Sequence, residues 1–211
     1  MNPLIFILTI LAMARGLAST AVHQDPTTAL LNGASRLSRG HDSAALQKIV
    51  AELKLQRHPE GGYYVETDRD PLRVPNPFLP SNGDASPNDN DTTRSASTTI
   101  FYLLTPSSPR GVFHTNKART VHTLHRGRGR YVVIHPDERR QSNNKARVET
   151  FVVGSNVEKG EKLQWIVEGG KYKASFLLPD EEKGSESGGL LISEVCYEER
   201  EGMDLDWSAN V

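Results

Sequence analysis

Cysteine is all but missing from this 211-residue chain. The single Cys196 excludes any disulfide within the chain, and its place in the apolar run Leu190-Leu-Ile-Ser-Glu-Val-Cys-Tyr197 reads as a packing position. Net charge is missing too. With 25 Lys and Arg against 26 Asp and Glu there is no global field to gather nucleic acid, and no nucleic-acid partner is expected. No apolar run reaches the roughly 20 residues that a membrane-spanning helix needs. There is no P-loop, dinucleotide fingerprint or nucleophile elbow. Nor is there a strand–helix–strand alternation, which argues against a parallel α/β sheet.

What stands in place of a membrane span is shorter. Leu4 to Ala14 is an apolar stretch of signal-peptide length, followed by Arg15 and the small-x-small pattern Gly16-Leu17-Ala18. It predicts a signal peptide over 1–18, a leader over 19–41 and a secreted mature chain with no membrane partner. A membrane anchor is the alternative. The sequon Asn90-Asp91-Thr92 accords with secretion.

Acid is absent locally. From Thr92 to Pro136 there is no Asp or Glu, while Arg94, Arg110, Lys117, Arg119, Arg126, Arg128 and Arg130 all fall there. The chain from Asp180 to Asp206 is the reverse, rich in acid and including Glu186, Glu194 and Glu198. Two readings follow: the segments neutralise each other across the fold, or the first forms an electropositive mouth for an anionic small molecule.

One helix is clear. Asp42-Ser43 can cap it, and Leu46, Ile49, Val50 and Leu53 recur at helical spacing. After it come short β-rich runs: 63–69, 96–104, 111–115, 120–125, 131–135, 148–153, 163–167, 172–178 and 190–197. So many short strands between Gly and Pro turns predict an all-β sandwich or barrel with the helix outside. A single domain over 42–211 is expected, interrupted by polar loops at 70–93 and 179–189. The first loop, with its five prolines, is not expected to pair as a strand.

Three stretches carry the chemistry: His58-Pro-Glu-Gly-Gly-Tyr-Tyr-Val-Glu-Thr67, Arg94-Ser-Ala-Ser-Thr-Thr-Ile-Phe-Tyr-Leu-Leu104, and Phe113-His114 followed by His122 and Gly127. In that order they resemble a small family of cupins, RmlC-like jelly rolls sometimes called the fifth cupin family. The resemblance covers about Leu53 to Trp207. It implies a jelly-roll barrel, a small-molecule ligand and a homodimer. In cupins generally, two histidines, a carboxylate and a further histidine can cage a metal ion. Here His114 and Gly127 fit that motif, but Asn116 and Thr120 stand where a histidine and a glutamate belong. The second motif departs as well, with Lys173 at the end of Val167-Glu-Gly-Gly-Lys-Tyr-Lys173, so neither a bound metal nor another cofactor is expected.

The remaining candidates divide between site and scaffold. His114 and His122 are candidate bases, since an imidazole titrates near working pH, or else hydrogen-bonded core residues. His125, three residues from His122, falls on the opposite face of a strand. Tyr63, Tyr102 or Tyr172 would return a proton. Glu60-Gly61-Gly62-Tyr63 reads as a tight turn onto a strand, and its functional version puts Glu60, Tyr63 or Glu66 at the mouth. Arg94 and Lys173 would hold an anion, with Thr98 and Tyr172 beside it; alternatively Arg94 pairs with Glu60 or Glu66 to pin two strands. The expected activity is a metal-independent isomerase, epimerase or lyase on a sugar-like or other polar anionic compound. The competing expectation is a secreted carbohydrate- or small-molecule-binding protein without catalysis.

Overall fold

Residues at alternate positions of the long strands have opposite surroundings, and this sorts the molecule into two cores. The structure is a computed structural model and describes residues 40–78, 92–140, 145–180 and 186–196. The expected signal peptide, residues 19–39 of the leader, the Asn90 sequon and the acidic tail beyond Cys196 lie outside the described residues, as do parts of the two expected loops.

The larger sheet has six strands in the order β1 (Gln56–Arg57), β2 (Tyr63–Arg69), β5 (Thr98–Leu104), β12 (Leu190–Cys196), β7 (Thr120–Arg126) and β10 (Gln164–Val167). A four-stranded sheet runs β6 (Arg110–Thr115), β11 (Tyr172–Leu177), β8 (Gly129–His135) and β9 (Arg147–Val153). Neighbours are antiparallel throughout both sheets. Strands distant in sequence lie side by side, as β12 does between β5 and β7, which is the crossover habit of a jelly roll. The fold is an all-β, RmlC-like jelly roll with a short helix packed outside.

Register decides which side chains meet. On β5 and β12, Tyr102 stands opposite Ile192 and Leu104 opposite Leu190, and all four join the interior core with Tyr131, Val133, Trp165 and Leu177. The intervening residues, Phe101, Leu103 and Leu191, face the other way and pack under the helix.

That helix, α1 (Ala44–Glu52), starts where its cap predicts: the Ser43 hydroxyl accepts the Leu46 N–H at 3.3 Å. Asp42 does something else. Its carboxylate accepts the Ser107 N–H at 2.9 Å and the Ser107 hydroxyl at 2.6 Å, fastening the helix start to the turn after β5. Leu46 is 1% exposed and packs with Leu55 and Leu103, while Tyr63, Val65 and Leu191 complete the layer.

One expectation fails. The segment after Asp70 does pair: β3 (Arg73–Pro75) lies antiparallel to β4 (Thr93–Ser95). Pro75 is tolerated because it ends a short two-stranded ribbon with no third strand to need its missing N–H.

Leu46→Ala leaves a cavity between helix and sheet and is expected to cost about 2–5 kcal/mol in denaturant unfolding. A loss below about 1 kcal/mol would show that the helix is not part of the cooperative fold.

Candidate active site

The turn between β1 and β2 leaves no room for side chains at its centre. Gly61 and Gly62 have φ of 99° and 75°, which favour glycine, and a Cβ on Gly61 would stand 2.1 Å from the Arg110 carbonyl oxygen. The backbone polar groups of Glu60, Gly61 and Gly62 are tied. Glu60 N–H donates to His58 Nδ1 at 3.1 Å, and Glu60 C=O accepts from Val112 N–H at 2.8 Å. Gly61 C=O accepts from the Tyr102 hydroxyl at 2.9 Å, and Gly62 N–H donates to the Ser108 hydroxyl at 2.8 Å. The turn therefore bridges the large sheet to β6 at the edge of the small one, and it fixes the Cα of Glu60.

The Glu60 side chain meets His114. Oε2 lies 3.0 Å from His114 Nδ1, and the same nitrogen lies 3.0 Å from the Val112 carbonyl oxygen. A carbonyl can only accept, so Nδ1 carries the proton and Nε2 is left as a base. Burial pushes Glu60 up to about 7, helped by the charge of Glu194 and opposed by that of Lys173. Burial, with Lys173 adding to it, lowers His114 to about 4, and burial lowers His58 as well. At neutral pH the dyad has a neutral imidazole and a carboxyl near its midpoint.

Beyond it lies a second cluster. Lys173 on β11 stands directly opposite His114 on β6, so both side chains share the inner face. Its ammonium donates to Glu194 Oε2 at 2.7 Å and to His122 Nε2 at 2.9 Å. The three residues are 2%, 8% and 0% exposed, so the cluster has almost no access to bulk solvent. Burial works to raise Glu194, but the Lys173 ammonium and His122 hold the carboxyl well below the usual range. Burial and the same ammonium lower His122, which is neutral. Trp165 stacks on the His122 ring at 5.2 Å and Tyr131 meets it edge-on at 5.6 Å, fixing its orientation.

Of the residues singled out in the sequence, Glu60, His114, His122, Lys173 and Tyr102 come together here. Tyr102 is raised by burial, and its hydroxyl proton is committed to Gly61. The others are elsewhere. Tyr63 packs under the helix with Arg57 over its ring, because a one-residue step on β2 separates it from inward Tyr64. Glu66 is exposed and pairs with Arg69 at 2.7 Å, and Tyr172 is 41% exposed one step from Lys173. Arg94 belongs to the β3–β4 ribbon, its guanidinium over Phe78. Thr98 is buried opposite Cys196. His125 packs on Phe101 of the outer layer.

The cations of the acid-free segment do not gather at the dyad. Arg110, Lys117, Arg119 and Arg126 are exposed, Arg119 beside Glu168, while Arg128 pairs with Glu161 at 2.5 Å. Sequence reasoning missed Glu194, grouped with a run of surface acids, and His58. The signal for Glu194 was its phase: it falls in step with Leu190, Ile192 and Cys196, all on one face.

Comparison with known proteins agrees with the architecture. The family profile Cupin_5, described as "Cupin superfamily (DUF985)", matches residues 47–197, most of the chain. The chain belongs to the cupin superfamily. This cupin is 46% identical over 152 residues to the uncharacterized protein YML079W of Saccharomyces cerevisiae, spanning 72% of this chain and 69% of the yeast protein. It also resembles a solved hypothetical protein from Leishmania major, with 29% identity, a TM-score of 0.56 and coverage of 71% and 79% of the two chains. Protein SO0799 from Shewanella oneidensis shares the fold at 20% identity, with a TM-score of 0.52 and coverage of 72% and 76%.

Cupins commonly carry a metal ion, and the residues here do not fit one. Asn116 donates its amide to the Thr120 hydroxyl at 3.0 Å, and both lie against the Cys196 sulfur. His114 Nδ1 is engaged with Val112 and Glu60, and the ammonium of Lys173 stands between His122 and Glu194. Among the described residues, no group of three His, Cys, Asp or Glu is placed to hold a metal.

The raised Glu60 and lowered His114 give opposite pH slopes. A carboxyl raised from 4.5 to about 7 contributes stability that is full below pH 4.5 and lost as pH rises through 7. An imidazole lowered from 6.5 to about 4 contributes stability present above pH 6.5 and lost as pH falls through 4. Relative to Glu60→Gln, the wild type should therefore lose about 2–3 kcal/mol between pH 4.5 and 7.5, read by urea unfolding at each pH. Parallel pH curves for the two proteins would refute the shift in Glu60.

Proposed function

We propose that this cupin transfers protons: that it is a metal-independent isomerase, epimerase or lyase for a small, sugar-like carbonyl compound. The observation that supports it is the Glu60–His114 dyad at 3.0 Å, set opposite a buried ammonium. His114 Nε2 takes a proton from a carbon next to the carbonyl, and the electron pair of that C–H bond moves onto the carbonyl oxygen. The Glu60 carboxylate steadies the imidazolium through Nδ1. Lys173 donates to Glu194 and His122, and its third N–H is left for the developing oxyanion. Delivery of a proton from water to the other face of that carbon gives an epimer; return of the proton to the former carbonyl carbon, with the neighbouring hydroxyl proton passing to the former carbonyl oxygen, gives an isomer. Departure of a group from that neighbour makes the reaction a lyase. The apolar run from Leu4 to Ala14 supports secretion as the setting.

A second reading has its own observation. The Tyr102 hydroxyl is committed to Gly61 and Tyr63 lies under the helix, so neither supplies a proton to a ligand. That favours a carbohydrate- or small-molecule-binding cupin without turnover.

Proton NMR in D2O separates the two, using the purified protein and a panel of aldoses, ketoses and nucleotide-linked keto sugars. Proton transfer exchanges a C–H beside the carbonyl for deuterium, and His114→Gln should slow that exchange by about 10²–10⁴-fold. The rate should fall as pH drops through about 7, where Glu60 takes up its proton. A compound that raises the melting temperature yet shows no exchange establishes the binding reading instead.

A further inference from the structure

The two imidazoles beside Glu60 hold their protons on opposite nitrogens. Glu60 Oε2 lies 3.0 Å from His114 Nδ1 and 4.0 Å from His58 Nδ1, so both rings turn the same nitrogen toward one carboxyl oxygen. At His114 that nitrogen faces the Val112 carbonyl and carries the proton, which leaves Nε2 as a base. At His58 it accepts the Glu60 N–H at 3.1 Å, and an N–H can only donate. The neutral His58 ring therefore carries its proton on Nε2. Among the described residues, no protein hydrogen bond takes up that proton. The side chains of His58 and His114 keep 12% and 26% exposure, so a small molecule can reach both, whereas His122 is sealed at 0%.

The His58 ring is held in this orientation. Its backbone N–H donates to the Gly62 carbonyl at 3.1 Å, and its carbonyl accepts from Gly61 N–H at 3.0 Å, which ties the residue into the glycine turn. Tyr64 meets the ring edge-on at 4.7 Å and Tyr102 at 5.9 Å. Burial lowers its titration, with the charge of Glu194 opposing and that of Lys173 adding, so the ring is neutral at neutral pH and lies within reach of the interior pair. A neutral imidazole can polarise a carbonyl by donating a hydrogen bond while keeping its proton.

We infer that His58 contacts the bound compound: its Nε2–H donates to the carbonyl oxygen while His114 Nε2 faces the C–H beside that carbonyl. This role, which rests on the proton-transfer reading above, gives the developing oxyanion a second donor next to the third N–H of Lys173. It also supplies the donor that Tyr63 and Tyr102 do not. One lone pair and one N–H, set on either nitrogen pattern around Glu60, suit an open-chain carbonyl compound with an acidic C–H on the next carbon, as in an α-hydroxy ketone.

Two substitutions keep different halves of the ring. His58→Asn keeps an acceptor for the Glu60 N–H where Nδ1 stood and loses the Nε2–H. His58→Gln keeps an N–H near the Nε2 position. Each full-length protein is mixed with dihydroxyacetone in D2O; exchange of the methylene protons is followed by proton NMR, and binding by saturation transfer. His58→Asn should slow exchange by about 10²–10³-fold through kcat, and His58→Gln by less than about tenfold. A residue that only braces the turn gives the reverse order, and that order overturns the inference, as does equal exchange in all three proteins. If wild type binds without exchange, the proton-transfer reading fails while the contact stands, provided the dissociation constant rises at least tenfold in His58→Asn. Without wild-type exchange, equal saturation transfer in wild type and His58→Asn, including none in either, overturns the contact. Should His58→Asn not fold, the ¹⁵N shifts of the wild-type ring nitrogens decide. A proton on Nε2 of His58 and on Nδ1 of His114 supports the pair, and the same tautomer in both rules it out.

Discussion

The ion pair between Lys173 and Glu194 is the contact on which the rest of the interior depends. It joins the two sheets across their polar seam, linking β11 to β12, and its partners have almost no access to water. Such a pair is not obviously stabilising: desolvating both charges costs several kcal/mol each, and an apolar pair of similar volume can do as well. Its value lies in what it dictates. Glu194 stays ionised, His122 stays neutral, and the dyad of Glu60 and His114 titrates in the field of a fixed positive charge. Tyr131 and Trp165 hold the His122 ring that the ammonium meets, so the hydrogen-bond partner is fixed in position as well as in protonation state.

Around that pair the scaffold keeps two jobs apart. The inner face of β5 and β12 carries polar chemistry at one level and aliphatic packing at another, with Glu194 two residues beyond Ile192. The outer face carries aliphatic packing at the helix, with Leu103 and Leu191 beneath it. The Glu60 turn needs no such core. Six backbone hydrogen bonds and side-chain tethers hold it, and its two glycines make the approach to β6 possible.

The fold was legible because short β-rich runs alternate with turn residues and the one helix keeps a clear period. The β-rich runs 96–104, 120–125 and 190–197 marked strands to within a residue or two, and the helix began at the serine its capping pattern offered. Histidines on β-runs and the Glu60 motif led to half of the site. The rest was hidden for identifiable reasons. Glu194 sits among many acids, and only its phase against Leu190 and Ile192 separates it from a solvated residue. Lys173 was read as an anion holder, but its charge is answered from within by Glu194. The excess of arginines between Thr92 and Pro136 suggested an electropositive mouth, yet several lie on the outer surface, which composition alone does not distinguish. The β3–β4 ribbon was missed because proline was weighed without its position at a strand end.

Tyr102 and Leu103 are consecutive residues on opposite sides of one strand. Leu103 is a floor tile of the helix layer, and Tyr102 is the strut that holds the Gly61 carbonyl. The strand backbone therefore joins the helix layer directly to the turn. A sideways shift of the helix tilts the tyrosine and, through it, the turn that presents Glu60. The outer layer is thus a remote adjustment for the inner one: sequence drift beneath the helix can retune the carboxyl's aim while every residue of the site stays the same.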